Sequence, residues 1–336
     1  MSTQLLNVLV TGGAGYIGSH TVRQLLDAGH QVSVVDNLYS GHRWAVGKDA
    51  FFQQQDAGDQ ATMTALLKKR AINAVIHFAG HIVVPESVTD PSKYYRNNVT
   101  ASLNLLNACL TAEVGMFIFS SSAAVYGSPK QLPVAENHPQ VPINPYGRTK
   151  LITEWALRDI AESTKGKAHP MRYIALRYFN VAGASIDGTL GQATPEATHL
   201  IKVACETACG KRPSISIFGT DYDTPDGTCI RDYIHVEDLA KAHLCALEHL
   251  AVGRRSQILN CGYGQGFSVR EVLETVSRIS GHNIQIIESD RRAGDPAKLV
   301  ADNRLIGQTL GWIPQYDDLE LICRTAYQWE CKTPWN

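Results

Sequence analysis

Residues 6–36 constrain this chain more than any other stretch. Leu6–Val10 is apolar and short, as a strand buried on both faces is, and Thr11-Gly-Gly-Ala-Gly-Tyr-Ile-Gly18 follows it. A helix-like run continues through Ala28, and Gln31–Asp36 is a second apolar strand that ends on an acid. Glycines at Gly12, Gly15 and Gly18 permit a tight strand-to-helix turn and let a pyrophosphate approach backbone N–H groups at the helix N-terminus. An acid at the end of the second strand, roughly 20 residues on, accepts hydrogen bonds from an adenosine ribose. Asp36 would repel a 2′-phosphate, so the stretch points to NAD rather than NADP. The alternative is an ordinary βαβ turn with an incidental acid, and the remainder of the chain has to separate the two.

The alternation continues downstream. Ala50–Gln54 reads as a third strand ending near Asp56, Ala61–Arg70 as a helix, and Ala74–Phe78 as a fourth strand running into Ala79 and Gly80. Pro91–Ala112 carries a long helical pattern, Met116–Ser120 is a fifth strand, and Arg172–Tyr178 a sixth with Phe179 and Asn180 at its exit. This order predicts an α/β fold, a Rossmann-type doubly wound parallel sheet. Asn97 and Asn98 fall inside the long helix, where Asn is disfavoured, so one of them is expected to reach a neighbouring loop. His77 and His81 lie on a strand and its exit loop and share no helix face, so His77 is expected as a buried, satisfied histidine rather than a zinc ligand.

Ser120-Ser121-Ser122 closes the fifth strand, followed by Ala123-Ala124-Val125-Tyr126-Gly127. Ligands of a parallel sheet bind beyond the carboxyl ends of its strands, so these hydroxyls are expected to face the cleft. Residues 128–144 are rich in Pro and polar residues and read as loop. Asn144 and Pro145 then form an N-cap and first-turn pair for a helix with an apolar run at Leu151, Ile152, Trp155, Ala156 and Ile160. On that helix Tyr146 and Lys150 are four apart and share a face. An ammonium beside a phenol stabilises the anion and lowers a pKa that is otherwise about 10, which is one way to make a general base. The same spacing also arises in ordinary packing, so the pair gains meaning only beside the glycine turn and Ser122.

Beyond Gly183 the alternation loosens. The pattern predicts a helix over Pro195–Cys209, a strand over Ser214–Phe218, a turn-rich loop over Asp221–Thr228, and Ile230–His235 leading into a helix over Val236–Leu250. Gln257–Cys261 and Ile284–Glu288 read as strands, Ser268 with Glu271 as a capping box for a helix through Ser280, and Arg291–Asp295 as a loop with two guanidiniums. Short helices near Asn303–Leu310 and Asp317–Trp329 finish the chain. The expected division is an NAD-binding domain over residues 1–180, with 236–262 returning to it, and a smaller C-terminal α/β substrate lobe over 181–235 and 263–336. A formal net charge of -1 argues against nucleic acid held by bulk electrostatics, and no apolar run reaches membrane-spanning length. The N-terminus runs directly into a strand, so no signal peptide is expected. The 8 Cys contain no Cys-x-x-Cys pair and read as buried thiols of a cytoplasmic protein. Cys205 and Cys209 could share a helix face, but no second ligand pair accompanies them, so no metal is expected.

With the glycine turn, Ser122 and Tyr146-x-x-x-Lys150 in one chain, the pattern resembles the extended short-chain dehydrogenase/reductases. Thr11–Gly18, Asp36–Leu38, His77–Gly80, Tyr94 and Tyr95 with Asn97 and Asn98, Ser120–Gly127, Leu176–Asn180, Arg231–Val236 and Arg291–Asp295 keep their order and spacing over nearly the whole chain, and resemble the UDP-glucose (UDP-galactose) 4-epimerase family. The resemblance implies transient oxidation at C4 of a UDP-hexose, turning of the 4-keto sugar and reduction of its opposite face, with tightly bound NAD recycled. It implies Tyr146 as base, Ser122 orienting the sugar hydroxyl, and Lys150 acting on Tyr146 and the nicotinamide ribose. NAD contacts would come from Gly12, Gly15, Tyr16, Ile17, Gly18, Asp36, Asn37, Asp56, Ala57, Phe78, Ala79, Gly80, Asn98, Ser122, Tyr146, Lys150 and Phe179. UDP-sugar contacts would come from Ser122, Tyr146, Asn180, His199, Leu200, Ser216, Phe218, Arg231, Arg292, Asp295 and Leu299. Forked donors of Arg231 and Arg292 suit a diphosphate, and Phe218 offers a face to uracil. The helices over Pro91–Ala112 and Tyr146–Ser163 would form a homodimer bundle.

Three positions depart from the family pattern. Ile82 stands where a Lys near the cofactor is common, Lys202 where a Pro is usual, and Leu299 at a gate where Tyr restricts the pocket to plain hexoses and smaller residues admit N-acetylated sugars. Activity on UDP-galactose is therefore expected, with N-acetylated or pentose sugars open. A 4,6-dehydratase on the same fold would need an Asp-Glu pair where this chain has Ala123 and Ala124. A UDP-uronate or UDP-pentose 4-epimerase differs only in the pocket. A non-catalytic NAD-binding sensor need not keep Ser122, Tyr146 and Lys150 together.

Overall fold

The computed structural model describes residues 5–292 and 294–332; Met1–Gln4, the start of the N-terminal stretch for which no signal peptide is expected, and Ala293 of the Arg291–Asp295 loop lie outside the described residues. β1 (Asn7–Thr11) passes through the glycine turn into α1 (Tyr16–Asp27), then β2 (Gln31–Asp36), β3 (Phe51–Gln54), α2 (Gln60–Lys69) and β4 (Ala74–His77). Two short helices, α3 (Val84–Thr89) and α4 (Pro91–Tyr94), lead through a π-helical turn at Tyr95–Thr100 into α5 (Ala101–Thr111), β5 (Met116–Ser122), α6 (Pro145–Thr164) and β6 (Arg172–Tyr178). Then come β7 (Asn180–Ala182), α7 (Leu200–Ala208), β8 (Ile215–Phe218), β9 (Ile230–His235), α8 (Val236–Ala251) and β10 (Gln257–Cys261). β11 (Gly266–Ser268), α9 (Val269–Ser280), β12 (Ile286–Ser289), β13 (Lys298–Leu299), α10 (Arg304–Leu310) and α11 (Leu319–Glu330) complete the chain.

Seven parallel strands form the main sheet in the order β10-β6-β5-β4-β1-β2-β3. The near-continuous apolar strands are explained by helices on both faces. Val22 and Leu25 of α1 and Leu239 and Leu247 of α8 pack on one side, and Met63 of α2, Leu105 and Leu106 of α5 and Leu157 of α6 on the other. The strand order reverses between β1 and β4, which opens a crevice at their carboxyl ends. Beyond that edge β9 pairs with β7, β11 and β13, β8 pairs with β12, and α7, α9 and α11 enclose a separate core containing Ala204, Val272 and Ile322.

Two expected elements change. The helix expected from Pro195 starts only at Leu200, because Glu196 has φ 49, a left-handed conformation that a helix cannot accommodate. The long helix expected over Pro91–Ala112 is continuous to Thr111, but its middle, Tyr95–Thr100, widens into a π-helical turn, and that turn carries Asn97 and Asn98.

Candidate active site

A cleft of ≈ 680 Å³ runs from the N-terminus of α1, across the carboxyl ends of β1, β4 and β5, to β8, β9 and β13. Its first half is built by the glycine turn. Gly12 has φ +72, and a Cβ there would lie 2.6 Å from the Ala79 nitrogen, so only glycine lets the turn approach the end of β4. A Cβ at Gly18 would strike the Gly12 carbonyl, so that residue sets the close packing of α1 against the turn. Gly15 caps α1 and offers no side-chain acceptor to the first-turn N–H groups. Those donors are suited to an anion. Asp36, 8% exposed, accepts from the Ala14 nitrogen at 3.0 Å and the Leu38 nitrogen at 2.8 Å, which fixes its carboxylate at the rim. Tyr16, Ile17, Asn37, Asp56, Ala57, Phe78, Ala79 and Gly80 line the same half. A helix N-terminus facing an oriented acid across this trough fits a dinucleotide.

The catalytic wall comes from β5 and α6. Asn144 accepts from the Gly147 nitrogen at 2.8 Å and, with Pro145, starts α6 where the sequence predicts. Ser120 and Ser122 line the cleft, whereas Ser121 points to the opposite side, as the period of two in a strand requires. The expectation that all three hydroxyls face the cleft therefore holds for Ser120 and Ser122 only. Tyr146 lines the cleft beside Ser122, and Phe179 and Asn180 close the wall from the exit of β6. Lys150 is 4% exposed and lies behind the lining; its Nζ donates to the Ser120 carbonyl at 2.7 Å and sits 5.8 Å from the Tyr146 ring centroid. The expected lowering of the phenol does not result from this geometry. Burial raises the Tyr146 pKa, and the hydrogen bond with Ser122 opposes that only in part. Burial also lowers Lys150 to about 8, against the pull of the Glu154 charge.

The far half presents a different surface. Phe218 at the end of β8 lies under the Arg292 guanidinium, 4.5 Å from its ring centroid, and Arg292 Nε donates to Asp295 at 3.0 Å. Arg231 on β9 faces Asp295 at 3.9 Å. These residues, with His199, Leu200, Ser216 and Leu299, line the cleft. His199 accepts or donates at 2.9 Å to Gln192, and burial lowers its pKa. Leu299 is buried in an apolar cluster that also holds Val125, Leu151 and Phe179.

Asn98 does not line the cleft. Its amide spans the His81 backbone, accepting from the nitrogen at 2.8 Å and donating to the carbonyl at 2.9 Å, and so anchors the loop that carries Ile82. That is the loop contact expected of one Asn of the pair. His77 is bonded to Thr11 at 2.7 Å and Ser102 at 2.9 Å, a satisfied core histidine. Lys202 has a reason to be there without Pro: it bonds Glu330 of α11 at 2.5 Å and pairs with Glu206 at 3.2 Å. Cys209 lies 3.1 Å from Cys331 rather than sharing a site with Cys205. Sequence reading missed Tyr178, whose hydroxyl bonds Ser120, and the buried Glu154–Arg177 pair behind the wall. The only available signal was charged residues inside apolar runs, at Glu154 and Arg177.

A Ser, Tyr and Lys wall at the carboxyl edge of a doubly wound sheet, meeting a dinucleotide trough, defines an enzyme of the short-chain dehydrogenase/reductase type. Residues 8–262 match the NAD dependent epimerase/dehydratase family, and the chain belongs to it. It is 54% identical to a UDP-glucose 4-epimerase of Azospirillum brasilense over 96% of this chain and 91% of that protein. A crystal structure of UDP-glucose 4-epimerase from Brucella ovis in complex with NAD is similar with TM-score 0.92 and 48% identity, covering 97% of this chain and 98% of the other. The UDP-glucose-4-epimerase of Stenotrophomonas maltophila, with bound NAD and formylated UDP-arabinopyranose, is similar with TM-score 0.92 and 40% identity, covering 97% and 98%.

Proposed function

We infer that the chain interconverts UDP-glucose and UDP-galactose at C4 of the hexose, with NAD as a resident cofactor. The observation that carries this reading is the position of Ser122 and Tyr146 at the seam between the dinucleotide trough and the half lined by Phe218, Arg231 and Arg292. A sugar joined to a diphosphate held by the two arginines reaches that seam. NAD, when bound, supplies the hydride acceptor and donor for C4, and its oxidised ring carries positive charge.

The chain's own groups would then divide the work. The α1 N-terminus would hold the NAD pyrophosphate, and Asp36 the adenosine ribose. Ser122 would orient the sugar 4-hydroxyl and Tyr146 would take and return its proton. Because burial raises the Tyr146 pKa, its anion requires positive charge in the cleft in addition to Lys150. Phe218 would stack on uracil, and Leu299 would bound the sugar. Ala123 and Ala124 line the wall where a dehydratase needs an acid pair, and neither transfers protons. N-acetylated hexoses, uronates or pentoses would differ only at the Leu299 end. The proposed division of labour assigns NAD to residues 1–180 with 236–262 and the sugar nucleotide to 181–235 and 263–336; β10 completing the seven-stranded sheet supports it.

Exposed Trp155 on α6 and Leu103 on α5 support a homodimer packed through these helices. Eight unpaired cysteines support a cytoplasmic setting, and among the described residues no helix is long and apolar enough to cross a membrane. The test is incubation of the purified protein with UDP-galactose and no added NAD. UDP-glucose should form, and Tyr146→Phe should lose about 10²–10⁴-fold in turnover while keeping its NAD. Near-wild-type turnover by Tyr146→Phe would overturn the assignment.

A further inference from the structure

Behind the catalytic wall lies an ion pair that no step above uses. Glu154 follows Lys150 by one turn of α6 and is 1% exposed, and Arg177 of β6 is 3% exposed. The Glu154 carboxylate accepts from Arg177 Nε at 2.9 Å, Arg177 Nη2 at 2.6 Å and Ser121 Oγ at 2.5 Å. Arg177 is held in turn by the Tyr126 hydroxyl at 2.9 Å and the Glu136 carbonyl at 3.2 Å. A buried pair of this kind is weak as a source of stability, because apolar residues of the same volume do as well or better. Its location supplies another reason. Ser121 is the residue between Ser120, whose carbonyl anchors Lys150, and Ser122, which faces Tyr146.

We propose that Glu154 is a positioning residue for the C4 reaction: held by Arg177, it fixes Ser121 and thereby aims the Ser120 carbonyl and the Ser122 hydroxyl, while its charge faces Lys150. The proposal rests on the function inferred above. Among the groups packed around Lys150, Tyr146 on the same helix is kept neutral by burial, as is Tyr178 on β6, and His77 on β4 is held neutral with its pKa lowered to about 3. Glu86 of α3 and Lys93 of α4, across α6, are spent on each other. Glu154 is thus the negative group that opposes the burial of the Lys150 ammonium, and Arg177 moderates it.

Glu154→Gln keeps one oxygen able to accept from Ser121 Oγ and Arg177 Nε, replaces the acceptor of Arg177 Nη2 by an NH₂ group, and removes the charge. The alkaline limb of UDP-galactose turnover, where Lys150 loses its proton, should move to lower pH, so that turnover above the limb falls by about 10-fold for each pH unit of displacement while turnover near pH 6.5 changes far less. Arg177→Met should move the limb the opposite way. Because that variant leaves a carboxylate, and Glu154→Gln a guanidinium, buried without its counter-charge, the double variant Glu154→Gln/Arg177→Met, neutral and of similar volume, serves as the folded control and should show the low limb. A second reading needs no turnover: the pH at which the melting difference between each background and its Lys150→Met derivative begins to close should move with the limb. A wild-type protein without UDP-galactose turnover would refute the reaction and leave this melting test standing. A limb and a closing pH that stay fixed in folded Glu154→Gln or in the double variant would overturn the role of Glu154 alone.

Discussion

Lys150→Met should make the protein more stable while removing its activity. The Lys150 ammonium is fully buried, and burial brings its pKa from 10.5 to about 8. At about 1.4 kcal/mol for each tenfold in the proton equilibrium, holding that charge costs about 3 kcal/mol of folding free energy at neutral pH. Methionine keeps an unbranched stem of similar length but gives up the hydrogen bond to Ser120 and the contact of the ammonium with the Phe119 ring at 5.1 Å, together worth about 1 kcal/mol. The net gain is about 2 kcal/mol at pH 7. The folded-state pKa lies below the unfolded value, so folded wild type releases this proton first. Its penalty is complete below about pH 8 and disappears as pH rises towards 10.5. The advantage of the variant should therefore be largest at pH 7 and close through that window. The assay is thermal melting of both proteins stripped of NAD, since bound cofactor would add its own free energy unequally. A variant that melts below wild type at pH 7, or a difference that does not change with pH, would refute the reasoning.

Three further substitutions probe the cleft. Gly18→Ala places a methyl against the Gly12 carbonyl, so it should destabilise by about 1–3 kcal/mol and leave the protein purified without NAD, read by melting and by absorbance of released nucleotide. Ile82→Lys introduces a cation on the exposed loop of the dinucleotide half, where Ile82 is 44% exposed; NAD release on dilution should slow by a few-fold, as expected from about 1 kcal/mol or less for an exposed charge. Leu299→Tyr enlarges a buried wall residue, so turnover of UDP-GalNAc relative to UDP-galactose should fall by about 10-fold or more, and an unchanged ratio removes Leu299 from the gate.

The regular elements were legible where their signals are local. Gln31–Asp36, Arg172–Tyr178 and Gln257–Cys261 are strands with the predicted bounds, and Ser268 with Glu271 forms the predicted capping box. What stayed hidden depends on tertiary context. Spacing put Tyr146 and Lys150 on one face, but spacing carries no information about burial, and burial is what sets both pKa values. The alternation that turns Ser121 away from the cleft could have been applied to the Ser triplet, and then the polar partner it needs would have been sought. That partner, Glu154, is joined to Arg177 from another element, 23 residues away, and no periodicity links them. The late start of α7 reflects the left-handed backbone at Glu196, a non-glycine residue whose conformation no propensity reveals.

One set of buried polar groups in this chain is connected at the wall, apart from others such as Asp232, Asp238 and Glu330 that are buried elsewhere. Lys150, Glu154, Ser121 and Arg177 occupy adjacent turns and strands, while Ile76, Phe117, Ile118, Ile174 and Leu176 fill neighbouring positions of β4, β5 and β6. A sheet selected for stability alone would place apolar residues at the wall positions too. These four have a common direction: each either belongs to the Ser120–Ser122 segment, touches it, or touches a group that does. The segment is the last turn of strand before the cleft, so an error of position there is passed directly to Ser122 and Tyr146. Rigidity at that point, obtained at some cost in stability, is the property that a reversible reaction at one carbon of a rotating sugar needs, because the same two side chains must meet C4 from the same place in both directions.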